Sequence, residues 1–148
     1  MRFHICTFQE LQLEELYAFM ALRQEVFVVE QDCPYLDADG KDQLGWHVML
    51  FDEKGQLGAY TRLLPPGVSY EKYSSIGRVV SSEHVRGKGY GKAVMERSIQ
   101  AIKELFPKAK IKISAQTYLM KFYNDLGFQE VGEEYLEDDI PHIGMIRE

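Results

Sequence analysis

The sequence predicts an α/β (α+β) fold: a mixed, mostly antiparallel sheet flanked by helices. Three observations carry that expectation. Short β-prone runs alternate with longer runs of helical period, in the order βαββ, βαβ, αββ. The unit over 76–115 reads strand, helix, strand, and a right-handed crossover makes its two strands parallel. Asp52-Glu53-Lys54-Gly55 lies between two β-prone runs as a hairpin turn, so that pair is antiparallel.

The elements follow in order. Residues 2–8 form a short first strand. Leu13, Leu16, Tyr17, Met20 and Phe27 fall mostly on one helical face, with Glu14, Glu15, Arg23 and Glu25 turned to water, which predicts a helix over 12–29. Its end, Val26 to Val29, also suits extended chain. Two strands, 46–51 and 56–64, flank the hairpin turn, and Pro65-Pro66-Gly67 stops the second. A β-branched run over 76–81 is the next strand. The clearest helix starts at Gly89 or Tyr90 and runs to Leu105. Met95, Ile99, Ile102 and Phe106 form one apolar row, and Val94, Ala101 and Leu105 a second beside it, before Pro107 ends it. Over 108–115 Ala109, Ile111 and Ile113 alternate with Lys108, Lys110 and Lys112, the pattern of a half-buried strand. A helix over 118–126 is closed by Gly127, and strands over 128–136 and 142–147 complete the chain. One irregular stretch, 31–43, is rich in Asp and contains Pro34 and Gly40; connections of that length in a compact domain are often functional.

Composition bounds the function. A chain of 148 residues, 45% hydrophobic and 27% charged, is expected to fold as a single domain over 1–148 without disulfide staples. Seventeen basic and 23 acidic residues give a net charge of -6, which argues against general nucleic-acid binding and suits a cationic partner such as an amine. Cys6 and Cys33 are the only cysteines and form no C-x-x-C, so a reducing compartment is expected and no structural zinc. No run approaches the roughly 18 apolar residues of a membrane span, so a cytoplasmic protein that does not engage membranes is expected. Edge strands leave room for a homodimer.

The segment with chemical content is Arg86-Gly87-Lys88-Gly89-Tyr90-Gly91-Lys92, between a strand and a helix. Glycines there expose backbone N–H groups, the helix start adds partial positive charge, and Arg86, Lys88 and Lys92 add formal charge: a site for phosphate. It is not a dinucleotide fingerprint, because Lys92 or Val94 stands where the third glycine is needed. It is not a Walker A loop either, because Ala93 follows Gly91-Lys92 and Arg86 holds the first position. Asp37-x-Asp39-Gly40 is not an EF-hand loop, since Tyr35 and Trp46 fall at its first and twelfth positions. A turn and part of an acidic acceptor pocket remain two readings of that segment.

Arg86, Gly89 and Gly91 match R/Q-x-x-G-x-G/A, and Phe122-Tyr123-Asn124-Asp125-Leu126-Gly127-Phe128 matches F-Y-x-x-x-G-F, in that order along the chain. With these two motifs the sequence resembles the GCN5-related N-acetyltransferase (GNAT) superfamily over its whole length. Arg23-x-x-Val26-Phe27-Val28-x-Glu30-Gln31, Cys33-Pro34-Tyr35-x-Asp37-x-Asp39-Gly40 and Glu137-Asp138-x-Ile140-Pro141-His142-Ile143-Gly144-Met145 are similar to the ElaA-like branch. The resemblance implies a sheet splayed between two parallel strands. It implies acetyl-CoA as cosubstrate, without a metal, and an amine on a small molecule, peptide or protein as acceptor. It places Val79, Val80 and Ser81 at the thioester, with a backbone N–H near Val80 as oxyanion donor. The loop Arg86, Gly87, Lys88, Gly89, Tyr90, Gly91 and Lys92 falls at the pyrophosphate, Gln116 at the end of the facing strand, and Tyr123 as general acid to the leaving thiolate. A general base is not singled out: Glu30, Asp37, His47, Glu83 and His142 are all candidates. A non-catalytic CoA-binding module on the same fold is the alternative.

Overall fold

The computed structural model describes residues 1–148. Its strands are β1 (Arg2–Thr7), β2 (Trp46–Phe51), β3 (Leu57–Leu64), β4 (Tyr73–Ser81), β5 (Lys110–Gln116), β6 (Gln129–Glu137) and β7 (Ile140–Arg147). Its α-helices are α1 (Leu13–Arg23), α2 (Tyr90–Leu105) and α3 (Met120–Asp125). All seven strands join one sheet in the order β1-β2-β3-β4-β5-β7-β6. Every neighbouring pair is antiparallel except β4–β5, the pair joined by the α2 crossover.

The sheet opens in its middle. β4 and β5 pair only where Tyr73, Ser74 and Ser75 face Lys110, Ile111 and Lys112. Beyond Ser75 the rest of β4 has β3 on one side and no strand on the other.

β4 also carries a bulge. Tyr60 faces Val80 while Arg62 faces Gly77, so three steps along β4 match two along β3. Arg78, inside the bulge, has φ +51. Side chains alternate along a strand, and one extra residue reverses which face they take. Ile76 therefore joins the core under α2 and α3, while Val80 joins the core under α1.

Two cores result, one per face. Val94, Met95, Ile99 and Ile102 of α2 pack on Val48, Leu50, Leu63, Ile111 and Ile113. On the other face Phe19 and Leu22 of α1 pack on Cys6, Met49, Tyr60 and Val80. β2 divides its side chains between them, which is why Val48, Met49, Leu50 and Phe51 are all buried. Ile111, Ile113 and Ala115 alternate inward along β5, and each large apolar side chain so buried contributes about 1.5–3 kcal/mol.

Two helices differ from expectation. The α-helix predicted over 12–29 stops at Arg23 and continues as a wider π-helix over Gln24–Glu30. Gln31 N–H bonds Val26 O and Cys33 N–H bonds Val28 O, both five residues back. Val26, Val28 and Val29 are β-branched and crowd a tight turn, and π-turns gather at functional sites. The helix predicted over 118–126 begins as a 3-10 turn, Thr117–Leu119, before α3. Gly127 closes it as expected: at φ +96 its N–H bonds Asn124 O and the Phe128 N–H bonds Tyr123 O. β4 starts at Tyr73 and β7 at Ile140, earlier than the apolar runs alone suggest. No helix is long and apolar enough to cross a membrane.

Candidate active site

The opening between β4 and β5 widens into a cavity of about 840 Å³. Arg78, Val79, Val80 and Ser81 form one wall and Ser114 and Gln116 the facing one. Phe122 and Tyr123 of α3 close one end. Val26, Phe27 and Glu30 of the π-helix, which continues α1, also line it. Glu137, Asp138 and His142, around the β6–β7 turn, complete it.

At the glycine loop, Gly87 (φ +79) and Gly89 (φ +82) are left-handed, a conformation glycine takes without strain. Gly89 is the N-cap of the 16-residue α2, and no side chain caps the first turn. A Cβ at Gly87 or Gly89 would meet no atom within 4 Å, so the backbone is open to a ligand. The residues present therefore fit a pyrophosphate: open N–H groups at a helix start next to Arg86 and two lysines. Arg86 is already engaged, donating to Glu30 at 2.7 and 3.0 Å and to Ser81 O at 3.2 Å.

Of the residues named from the sequence, Val79, Val80, Ser81, Arg86, Gly91, Gln116 and Tyr123 line the cavity. Gly87, Lys88, Gly89, Tyr90 and Lys92 do not. The Tyr90 side chain lies elsewhere. Its ring is buried in the core, pressed on Gly58, where a Cβ would come within 2.8 Å of it. Only its main chain is left for a ligand.

Tyr123 is buried, its ring edge-on to Phe122 and Phe128. Burial, with the neighbouring Tyr118, pushes its phenol up to about 12. Its hydroxyl bonds no protein group and stays protonated across the neutral range, a free donor at the cavity wall.

The five candidate bases separate sharply. Glu30 is paired with Arg86. Asp37 is 4% exposed, accepting from Arg23 Nε at 2.7 Å with Arg78 Nε 2.8 Å away. His47 is fully buried between Tyr60 Oη (2.7 Å) and Asp42 O (2.9 Å), stacked on Phe19; burial lowers its pKa and it faces no cavity. Glu83 begins a 3-10 turn away from the cavity wall. His142 alone combines a place on the wall with an unengaged ring nitrogen.

The Asp-rich loop resolves as an ionic scaffold. Arg23 Nη1 donates to Asp42 at 2.8 Å, and Arg62 donates to Asp39 (2.8 and 2.9 Å) and to Asp42 (2.9 Å). Its carboxylates are consumed by arginines, and it offers the cavity Cys33, Tyr35 and Leu36 instead. The Cys33 thiol is raised by desolvation and by Asp138, the opposite of an activated nucleophile. The cavity's free carboxylates belong to Glu137 and Asp138, in the segment from Tyr135 to Pro141 that the family resemblance sets at the border of the site. Away from the cavity, Cys6 is core, and its thiol is pushed up to about 11 by burial. Its sulfur groups with His4 and Glu15, whose side chains already bond each other at 2.6 Å and clamp β1 to α1.

Comparison with known proteins agrees with this geometry. The acetyltransferase (GNAT) domain family matches residues 42–148. Protein ElaA of Escherichia coli is 42% identical over 140 residues, covering 94% of this chain and 91% of that one; its crystal structure superposes with a TM-score of 0.92. The crystal structure of an acyl-CoA N-acyltransferase from Pseudomonas aeruginosa is 47% identical with full coverage of both chains and a TM-score of 0.93. An aminoglycoside 6'-N-acetyltransferase complexed with coenzyme A shares the fold at 14% identity, covering 97% of this chain and 96% of that one, with a TM-score of 0.70. The splayed sheet, the glycine loop at the start of α2 and these relatives place the chain in the GNAT acetyltransferase family, in its ElaA-like branch.

Proposed function

We propose that this protein moves an acetyl group from acetyl-CoA to a primary amine by direct attack. The observation that carries the reading is the opening between β4 and β5, with an uncapped helix start beside it and an unpaired phenol on its wall. The CoA complex of a protein of the same fold supports the choice of cofactor.

The residues would divide the work as follows. The turn from Arg86 to Lys92 and the α2 N-terminus hold the pyrophosphate by backbone N–H groups and local charge. The pantetheine arm fits between β4 and β5, whose facing main chains beyond Ser75 lack a ladder. Acetyl-CoA supplies an activated thioester. The β4 main chain at Val79, Val80 and Ser81 supplies N–H donors for the carbonyl oxygen as it gains charge. Tyr123 supplies a proton to the departing sulfur, and its raised pKa keeps that proton in place beforehand.

Thermal melts with acetyl-CoA, CoA, ATP and NADH test the cofactor. At about 100 Kd the first two should add roughly 2.7 kcal/mol, or on the order of 5–10 °C, and the others nothing. No shift with either CoA species would sink the reading. Release of free thiol from acetyl-CoA in the presence of amines tests turnover. Tyr123→Phe should lower kcat about 10²–10⁴-fold while the acetyl-CoA melt shift stays as in the parent; an unchanged kcat removes Tyr123 from the chemistry.

A further inference from the structure

We propose that His142 is the general base of this site, and that its Nε2 together with the Glu137 carboxylate seats the acceptor as an ammonium ion. This rests on the acetyl-transfer reading and supplies the proton acceptor that reading lacks.

The argument begins with the tautomer. His142 is 7% exposed, and its Nδ1 lies 2.7 Å from the Ile140 carbonyl oxygen. A carbonyl oxygen only accepts, so Nδ1 carries a hydrogen, and a neutral imidazole carries only one. Nε2 is then a bare lone pair. No hydrogen bond reaches it; Glu137 Oε2 stands 3.5 Å away. The ring is held in place by the Tyr135 ring, nearly parallel at 27° with centroids 6.1 Å apart. Two acceptors thus confront each other on a cavity wall with no proton between them. A primary ammonium carries three donors and satisfies both.

The surrounding charges favour this assignment. From β6 and its turn come Glu137 and Asp138, neither paired with a basic residue other than His142. Tyr135, also from β6, spends its hydroxyl on Ser114 of β5. Lys112 of β5 rests on the Tyr70 ring, and the Tyr70 phenol is pushed up to about 12 by burial and by Tyr135 and Glu137. Arg78 of β4 is neutralised by Asp37 and Asp39. Tyr35 bonds Asp37, and Cys33 lies 3.7 Å from the Asp138 carbonyl. The net charge left for a ligand is negative. Leu36 and Tyr118, both largely exposed and lining the same cavity, offer apolar surface to the amine's stem. The acceptor class is an amphipathic primary amine.

The proton balance closes. One proton passes from the ammonium to Nε2, where Glu137 stabilises the imidazolium, and leaves to water. The freed nitrogen lone pair forms the C–N bond as the C–S bond breaks. The second amine proton replaces the one that Tyr123 gives to sulfur.

The experiment joins spectroscopy to kinetics. Imidazole ¹⁵N NMR of the whole protein should show neutral His142 protonated at Nδ1 and bare at Nε2. Thiol release with 1,5-diaminopentane and with phenethylamine should fall as His142 gains its proton, giving kcat/KM an acid limb at the pH of the NMR transition. His142→Gln should lose about 10²–10⁴ in kcat and lose the acid limb, with the acetyl-CoA melt shift unchanged. Glu137→Gln should raise the amine KM about tenfold or more, with the acetyl-CoA melt shift unchanged. An Nε2–H tautomer, or a His142→Gln enzyme with kcat and acid limb intact, overturns the proposal and leaves acetyl transfer standing. A parent protein whose melt ignores acetyl-CoA overturns acetyl transfer itself and the base with it.

Discussion

Two acidic segments border the cavity, and their carboxylates have opposite fates. In the loop after the π-helix, Asp37 and Asp42 are buried and Asp39 is more exposed, and three arginines answer them. In the β6–β7 turn, Glu137, Asp138 and Asp139 meet no arginine or lysine. A buried carboxylate persists only with countercharge and hydrogen bonds, whereas an exposed one is free to meet a ligand. The first group builds the wall, and the second gives it its sign. Which is which depends on arginines 14, 23 and 41 residues away from their partners.

The hardest way to break the comparison is to remove a cation from the wall. Arg23 is fully buried and serves Asp37 and Asp42 together. Arg23→Ala removes this buried cation, leaving Asp37 with Arg78 alone and Asp42 with Arg62 alone, and should cost about 3–5 kcal/mol in urea unfolding; a loss below 1 kcal/mol would mean the network is not a scaffold. Acid acts on the same groups. Burial alone would raise the Asp39 and Asp42 carboxyls, but hydrogen bonds from Arg62 and Arg23 respectively outweigh it and hold both below the usual carboxylate range. Their folded pKa is depressed, so their stabilisation is present above the unfolded value of about 3.9 and is lost as pH falls through the folded values. Circular dichroism against pH should show stability falling below about pH 4, with a shallower slope in Asp39→Asn. The turn should behave the other way. Asp138 and Asp139 have φ +51 and +62 as the two central residues of a tight hairpin, where Asn-Gly is easier. Asp139→Gly should stabilise by about 0.5–1 kcal/mol in thermal melts. A destabilised variant would show that the Asp139 carboxylate supports the fold.

The same contrast marks what could be read in advance. The regular parts were legible because one periodicity specifies each of them: the rows of α2, the alternation of Ile111 and Ile113, the closure at Gly127. The glycine loop was legible as a phosphate site for the same local reason, although Tyr90 turned inward because Gly58, on β3, leaves room for its ring. The π-helix was not legible, since Val26 to Val29 suits more than one backbone. The ionic network and the candidate base were hidden for a shared reason. Arg23 read as a solvent-facing helix residue, and His142 was one of five candidates, until tertiary contacts engaged the other four or turned them away from the cavity.

The bulge at Arg78 makes β4 a matter of counting. Upstream of it Ile76 serves one layer of the molecule, and downstream Val80 serves the other. Exchanging either for a similar apolar residue keeps that arrangement. Gaining one residue between them would turn the end of β4 over, setting Val80 toward α2 and Val79 toward α1, and would shift the main chain at the cavity by one place, whereas losing one would erase the bulge and leave Val80 opposite Tyr60. The interval between Ile76 and Val80 is therefore under tighter constraint than the identity of either, and an insertion is the change this strand is least able to absorb.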